Sequence, residues 1–447
     1  MSERGCVHVV GAGLAGLAAC VALAGAGRRV ALYETGQHAG GRCRSFFDSE
    51  LGCRIDNGNH LLLAGNRAAF DYLGRIDALG TFEGPGEPAI GFADFTTGER
   101  WTLRPNAGRL PWWVLSRPRR VPGTRARDYL GALRLARAPE DATVAEMLGS
   151  DSVLYRRLWE PLAVAALNTA ADQGSARLFW RILVETLGNG GTACRPLIPR
   201  EGLSESFVDP ALAWLRRRGA EIRFGARLRS LAFGSDRVTG LSFDDAALPL
   251  GEADEVVLAV PAPVAARLVP GLVVPDDYAP IVNAHFRCAA PAGAAPFAGI
   301  VGGTAEWVFR KPGVVSVTVS AADRLVDRTA GELIELLWRD VAKLYDFSDS
   351  PVPPARIVKE RRATFRATPD QVRRLPGSAT RWANLRVAGD YVETGLPATI
   401  EGAIRSGFAA AAVLLRSGDA TPAAMPDHRS ETPAMSQTST DYQRALS

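Results

Sequence analysis

The chain has 447 residues, 52 Lys and Arg against 48 Asp and Glu, a formal net charge of +4 and 47% hydrophobic residues. That balance excludes a disordered chain and gives no electrostatic reason for nucleic-acid binding, while the length suffices for two connected domains with large cores. The six cysteines (Cys6, Cys20, Cys43, Cys53, Cys194, Cys288) form no CxxC pair and the five histidines no HxxxH pair, so free thiols and no metal site are expected. The opening Met-Ser-Glu-Arg runs straight into a strand, which leaves no room for a signal peptide. No apolar run reaches the roughly eighteen residues of a spanning helix. A cytoplasmic protein is expected, either soluble or peripheral at the inner face of the membrane.

In chain order, Val7-His8-Val9-Val10 reads as a buried strand that opens into Gly11-Ala12-Gly13-Leu14-Ala15-Gly16. A small-residue helix follows, ending near Gly25 to Gly27, and then a second strand, Arg29-Val30-Ala31-Leu32-Tyr33, which ends on Glu34. This is a βαβ unit with glycines for a tight turn, for close approach of a pyrophosphate and for helix-on-strand packing. The helix N-terminus offers free N–H groups and the positive end of its dipole to phosphates. Glu34 is placed to accept from ribose hydroxyls, and its charge disfavours a 2′-phosphate. Gly40-Gly41-Arg42 adds a second clamp: two glycines let the backbone approach, and the guanidinium is a bidentate, permanently charged partner.

Residues 72–195 read as an amphipathic, aromatic-rich, mainly helical block. Within it, Arg104 to Arg137 holds nine arginines against one acid, Asp128, with Trp112-Trp113 beside Pro111. Two readings stand side by side: a monotopic membrane-attachment surface, or an arginine-rich helix pair whose tryptophans pack inside. Glu221-Ile222-Arg223-Phe224 and Val238-Thr239-Gly240-Leu241 read as strands flanking a turn near Gly234, and Val256 to Val260 as a buried strand stopped by Pro261. Residues 266–375 form a second insertion. It holds strands such as Val314 to Val319, Trp307 and Phe309 as packing residues, and a hairpin turn containing Lys311. A helix from Gly331 to Tyr345 shows core-facing spacing at Leu333, Leu336, Leu337, Val341 and Leu344. Leu385 to Asp390 reads as a strand ending in a Gly-Asp turn, and Pro397 to Gly407 as a loop entering a second small-residue helix, whose N-terminal dipole suits an anionic ring edge. The expected fold is α/β: a Rossmann-type nucleotide-binding domain built from residues 1–71, 196–265 and 376–417. An α+β substrate domain is inserted as 72–195 and 266–375, and 418–447 reads as a disordered tail.

Together, Gly11-x-Gly13-x-x-Gly16, Glu34, Gly40-Gly41-Arg42, Gly389-Asp390 and Glu401-Gly402-Ala403 resemble the FAD-dependent amine oxidase and carotenoid desaturase superfamily, up to about residue 416. Asp56-Asn57-Gly58-Asn59-His60-Leu61-Leu62-Leu63 and the segment Gly389 to Glu401 are most similar to the hydroxysqualene dehydroxylases. The resemblance implies an amine oxidase-like FAD-binding domain, with Gly11, Gly13, Leu14, Ala15 and Gly16 along the pyrophosphate and Glu34 on the adenosine ribose. It implies Gly41 and Arg42 at phosphate or ribityl oxygens, the Leu228 backbone at adenine, Asp390 on the ribityl or phosphate side, Gly402 and Ala403 capping the flavin ring, and Glu401 among the cofactor-binding residues.

The activity implied is reductive dehydroxylation of hydroxysqualene to squalene for hopanoid or related triterpene synthesis. Competing readings are a polyisoprenoid desaturase of the carotenoid type, an amine oxidase using Lys311, and an FAD-binding assembly factor without turnover. Departure of hydroxide calls for an acid. His60 is the candidate; alternatively, it shapes the cofactor loop with Asn57, Gly58 and Asn59. Asp56 is expected to satisfy backbone donors. A thirty-carbon apolar substrate is held out of water by about 20 kcal/mol, at about 0.8 kcal/mol per carbon. Lipid, or the upstream enzyme that forms hydroxysqualene, would have to deliver it.

Overall fold

Short runs of β-branched and aliphatic residues, buried on both faces, favour parallel pairing over a half-exposed sheet. The computed structural model describes residues 5–347 and 350–418, and in it β1 (Val7–Val10) and β2 (Val30–Tyr33) are buried at every position. They pair in parallel and lie within a five-stranded sheet of order Glu221–Arg223, β2, β1, Glu255–Leu258, Leu385–Val387. Three separate stretches of the chain therefore meet in one sheet. The helix α1 (Leu14–Gly25) follows β1 and is buried along most of its length. Its small residues let the C-terminal helix Ile400–Gly418 lie against it. A β-carbon on Gly407 would stand 2.1 Å from the Ala15 carbonyl oxygen, so this crossing tolerates only glycine there.

The hairpin of β3 (Ser45–Asp48) and β4 (Cys53–Asp56) and the helix α2 (Arg67–Arg75) lead out of this unit. A second sheet of seven strands runs in the order Ala355–Phe365, Tyr278–Phe286, Val314–Val319, Trp307–Lys311, Phe297–Val301, Ile90–Asp94, Arg100–Leu103. Both insertions contribute, joined by the parallel pair Ile90–Asp94 and Phe297–Val301. The helix Ala330–Tyr345 shares an apolar cluster with this sheet through Leu333, Leu337, Val341 and Leu344.

One expectation is corrected and two are refined. The block 72–195 holds more helix than strand, but only part of that helix is α. It supplies the strands Ile90–Asp94 and Arg100–Leu103, and its stretches Trp112–Leu115 and Ala126–Arg137 are 3-10 helix. Aromatics such as Phe92 and Trp101, which stack at 5.4 Å, fit a pleated surface as well as a helix. The turn at Gly234 joins Leu228–Phe233 to Val238–Phe243, whereas Glu221–Arg223 is an edge of the parallel sheet. Irregular register in that hairpin breaks the alternation that would have marked Leu228–Phe233 as a strand. Lys311 ends the strand Trp307–Lys311 and, paired with Val314, closes the expected hairpin, whose turn residues are Pro312 and Gly313. Of the expected tail, Gly418 ends the last helix and residues 419–447 lie outside the described residues.

Candidate functional site

The three glycines after β1 serve three different physical needs. Gly11 turns the chain with φ +105°, and a β-carbon there would sit 2.3 Å from the Ala259 carbonyl oxygen. One on Gly16 would sit 1.9 Å from the Gly11 oxygen, so this glycine holds α1 against its own turn. A β-carbon on Gly13 would meet nothing within 4 Å. Gly13 caps α1 without any side-chain hydrogen bond, so the N–H groups of the first turn, from Leu14 to Gly16, have no side-chain cap. Gly40 bridges Gly13 in parallel fashion, its N–H donating to the Ala12 carbonyl at 2.8 Å, and Gly41 faces the Gly13 α-carbon. Two glycine backbones and an open helix N-terminus thus border the same space.

Charged groups close its ends. Glu34, at the end of β2, accepts from the Ala12 N–H and the Gly36 N–H, each at 2.8 Å, so its carboxylate is locked toward the glycine loop with lone pairs to spare. The segment before Leu228 is bound to the same turn, with the Ala226 N–H donating to the Glu34 carbonyl at 2.9 Å. At the other end Arg42 donates to Asp390 at 2.7 Å and to the Ala363 carbonyl. That pair ties the glycine loop to the last segment of the parallel sheet and to the strand Ala355–Phe365 of the second sheet.

The C-terminal helix departs from expectation. Glu401 is buried, and its two oxygens accept from the Ala68 and Ala69 N–H groups at 3.0 and 2.9 Å and from Arg405 at 3.0 Å. It caps the first turn of α2 and so is not turned toward a cofactor. The Gly402 and Ala403 N–H groups donate to Thr399, to its hydroxyl and its carbonyl respectively, so they would meet a ring through backbone contact and the helix dipole and not through free N–H groups. A short motif fixes residue type but not side-chain direction. Glu401→Ala is therefore expected to lower unfolding free energy in urea by about 2–3 kcal/mol, the scale of orphaned buried donors, while bound flavin is retained. Loss of flavin at unchanged stability would return Glu401 to the cofactor.

A polar cluster that the sequence did not reveal lies where the end of β4 and the segment after it meet the seven-stranded sheet. Lys311 forms an ion pair with Asp56, which is 2% exposed. Asp56 also accepts from the Ser45 hydroxyl at 2.6 Å and from the Leu203 N–H at 3.0 Å. His60 feels Asp56, Lys311 and Arg42 together. Burial, aided by the two cations, outweighs Asp56 and pulls its pKa down to about 4. His285, bonded to the Ser316 hydroxyl at 2.8 Å, is likewise pulled down to about 4, by burial first and Lys311 second. Burial favours the neutral form of both imidazoles, which fits His60 better as a residue shaping the loop than as the acid. Asn59, Asn283 and Thr318 complete the cluster, with Asn59 donating to Thr318 at 3.0 Å and Thr318 to Asn283 at 2.7 Å.

These histidines make the fold acid-sensitive. Below the ordinary pKa of 6.5 the unfolded chain takes up protons that the folded chain refuses until about pH 4. Stability therefore falls as pH drops from 6.5 to about 4. Urea unfolding of the His60→Gln/His285→Gln variant is expected to lose less stability on acidification than the parent chain, and equal losses would contradict this.

Residues 14–415 match the flavin containing amine oxidoreductase family. The chain is 47% identical to the hydroxysqualene dehydroxylase of Rhodopseudomonas palustris, over 93% of its length and 99% of that protein's. It belongs to the hydroxysqualene dehydroxylase family. Zeta-carotene desaturase of Synechocystis is more distant, 27% identical over 54% of this chain and 54% of its own. Among solved structures, cyclohexylamine oxidase of Brevibacterium oxydans shares the fold, with TM-score 0.66 at 16% identity, covering 94% of this chain and 100% of its own.

The chain is thus an FAD-dependent oxidoreductase, and the geometry fits that cofactor. The open face at Gly13, the α1 N-terminus without a side-chain cap and the Arg42 guanidinium together form a cradle for a doubly charged phosphate bridge.

Proposed function

We propose that this dehydroxylase-family chain converts hydroxysqualene to squalene, with Lys311 as the proton donor to the departing hydroxyl. The observation that carries the assignment of the acid is the buried Lys311–Asp56 pair beside His60, within electrostatic reach of Arg42. Gly13, Leu14, Ala15, Gly16 and Gly41 would hold the pyrophosphate of FAD, Glu34 its ribose, and Arg42 with Asp390 the opposite end. FAD, when bound in its reduced form, supplies the hydride.

The remaining work belongs to the side chains. The Asp56 carboxylate keeps Lys311 oriented and charged in a region walled by Trp307 and Phe309, both buried. The ammonium at Lys311 Nζ hands a proton to the carbinol oxygen, the C–O bond breaks and water leaves. The electron-poor allylic carbon then takes the hydride, and Lys311 is reprotonated from solvent, so one proton and one hydride replace the hydroxyl with hydrogen. His60, being neutral, neither competes for the proton nor repels the cation by charge. Trp307 and Phe309, buried on the strand that ends at Lys311, limit the water that could add back to the allylic carbon.

Anaerobic incubation of the photoreduced holoprotein with hydroxysqualene in detergent, read by mass spectrometry, tests the reading. Squalene with a matching return of oxidised-flavin absorbance is expected. A product with additional double bonds, formed by the oxidised holoprotein alone, would assign the chain to desaturation instead.

A further inference from the structure

Five of the eleven exposed large hydrophobic side chains among the described residues fall in one short stretch: Leu110, Trp112, Leu115, Leu130 and Leu133, between 53% and 81% exposed. Their exposure follows from local geometry. Side chains three apart eclipse in a 3-10 helix. In Ala126–Arg137 that period puts Tyr129 and Leu135 in a column turned inward, both buried. The column Arg127, Leu130, Leu133, Ala136 is turned outward, and all four are exposed. Trp112 and Leu115 form the same kind of outward pair in Trp112–Leu115.

The two 3-10 segments are held together from beneath. Trp113 is buried edge-on against Tyr129 at 5.2 Å, and the Tyr129 hydroxyl accepts from the Val121 N–H at 3.0 Å. Of the paired tryptophans, Trp113 thus belongs to the core and Trp112 to the surface, where Arg119 lies over its ring at 5.2 Å. Nine arginines and one acid occupy Arg104 to Arg137, in a chain whose net charge is only +4. Leucines and a tryptophan set among arginines match an anionic bilayer surface: apolar tips for the acyl boundary, guanidinium groups for lipid phosphates. No helix among the described residues is long and apolar enough to cross a membrane.

We infer that the face formed by Trp112–Leu115 and Ala126–Arg137 docks this chain on anionic phospholipid bilayers. It is a monotopic attachment, and it deepens the proposed reading by giving a water-insoluble substrate a route from lipid. The apolar cluster holding Trp113 and Tyr129 also contains Trp307 and Phe309, on the strand that ends at Lys311, so the docked face and the proposed reaction centre share one core.

The test is flotation of the holoprotein with vesicles of phosphatidylglycerol and phosphatidylcholine, against vesicles of phosphatidylcholine alone. Binding to the anionic vesicles is expected, and raised salt should weaken it. Leu130→Ser/Leu133→Ser, which leaves Tyr129 and Leu135 in place, should weaken binding by about tenfold or more while keeping the flavin spectrum. Arg125→Gln/Arg127→Gln/Arg134→Gln should remove the preference for anionic lipid. A holoprotein that stays unbound, or a serine variant that binds as well as its parent, would overturn the inference. So would lipid-free self-association abolished by the serine variant, which would assign the face to a second copy of the chain. Vesicle binding is read without turnover, so it fails or succeeds separately from the dehydroxylase reading. Turnover of detergent-solubilised substrate should be unchanged in the serine variant.

Discussion

Replacing Gly13 with valine is expected to give a folded protein that purifies without flavin. Nothing stands within 4 Å of a β-carbon at this position, and the backbone, at φ −72° and ψ 175°, is in the extended region open to any residue. The protein has no steric reason to unfold. The valine methyl groups, however, would fill the space between the two glycine backbones and cover the first turn of α1. FAD affinity should fall by about a hundredfold or more, the scale of losing two charge-assisted hydrogen bonds. Gly16→Val is the control of opposite kind: its β-carbon would lie 1.9 Å from the Gly11 oxygen, so it should fail at folding rather than at binding. Calorimetry with added FAD on the refolded apoproteins separates the two. A Gly13→Val protein that binds FAD like its parent would remove the glycine cradle from the account.

The second large effect is expected at Lys311. Lys311→Met should leave bound FAD intact and reduce dehydroxylation by about a hundredfold or more, the usual scale for removing a positioned acid. The methionine leaves Asp56, 2% exposed, without its counter-charge, which costs about 3–5 kcal/mol when a buried pair is broken on one side. A fall in activity from that variant could therefore reflect the fold alone. Lys311→Met/Asp56→Asn removes both charges and should regain stability without regaining activity. Lys311→Arg keeps the charge on a far weaker acid and should be impaired chiefly in kcat. Single-turnover rates alongside thermal unfolding decide the matter, and a double variant turning over at the parent rate would exclude Lys311 as the donor.

What could be read from the sequence divides by range. Gly11, Gly13, Gly16 and Glu34 lie within one βαβ unit, so their spacing alone implied a shared turn. The hydrogen bond from Ala12 to Glu34 is a local consequence of that spacing. Arg42 and Asp390 are 348 residues apart, and only a resemblance to known proteins associated them. The Lys311–Asp56 pair spans 255 residues, and Lys311 lies outside the Asp56-to-Leu63 string, so nothing local linked the two. Its signal was faint: one of three lysines in an arginine-rich chain, placed in an apolar strand. Glu401 was misread because a small-residue helix start looks the same whether an acid in its first turn faces a ligand or caps a neighbouring helix. The outward leucines were hidden for a different reason. Their exposure depends on a three-residue period, whereas an α-helical period mixes Leu130 and Leu133 with the buried Tyr129 and Leu135.

The central claim is that the C–OH carbon of hydroxysqualene receives hydride from reduced flavin. A single anaerobic turnover of photoreduced holoprotein in deuterium oxide tests it most directly, since the transferable hydrogen of reduced flavin exchanges with solvent. The account predicts squalene carrying one deuterium at the carbon that bore the hydroxyl, formed at the rate at which oxidised-flavin absorbance returns. Squalene without deuterium there, or flavin that stays reduced while substrate is consumed, would contradict it.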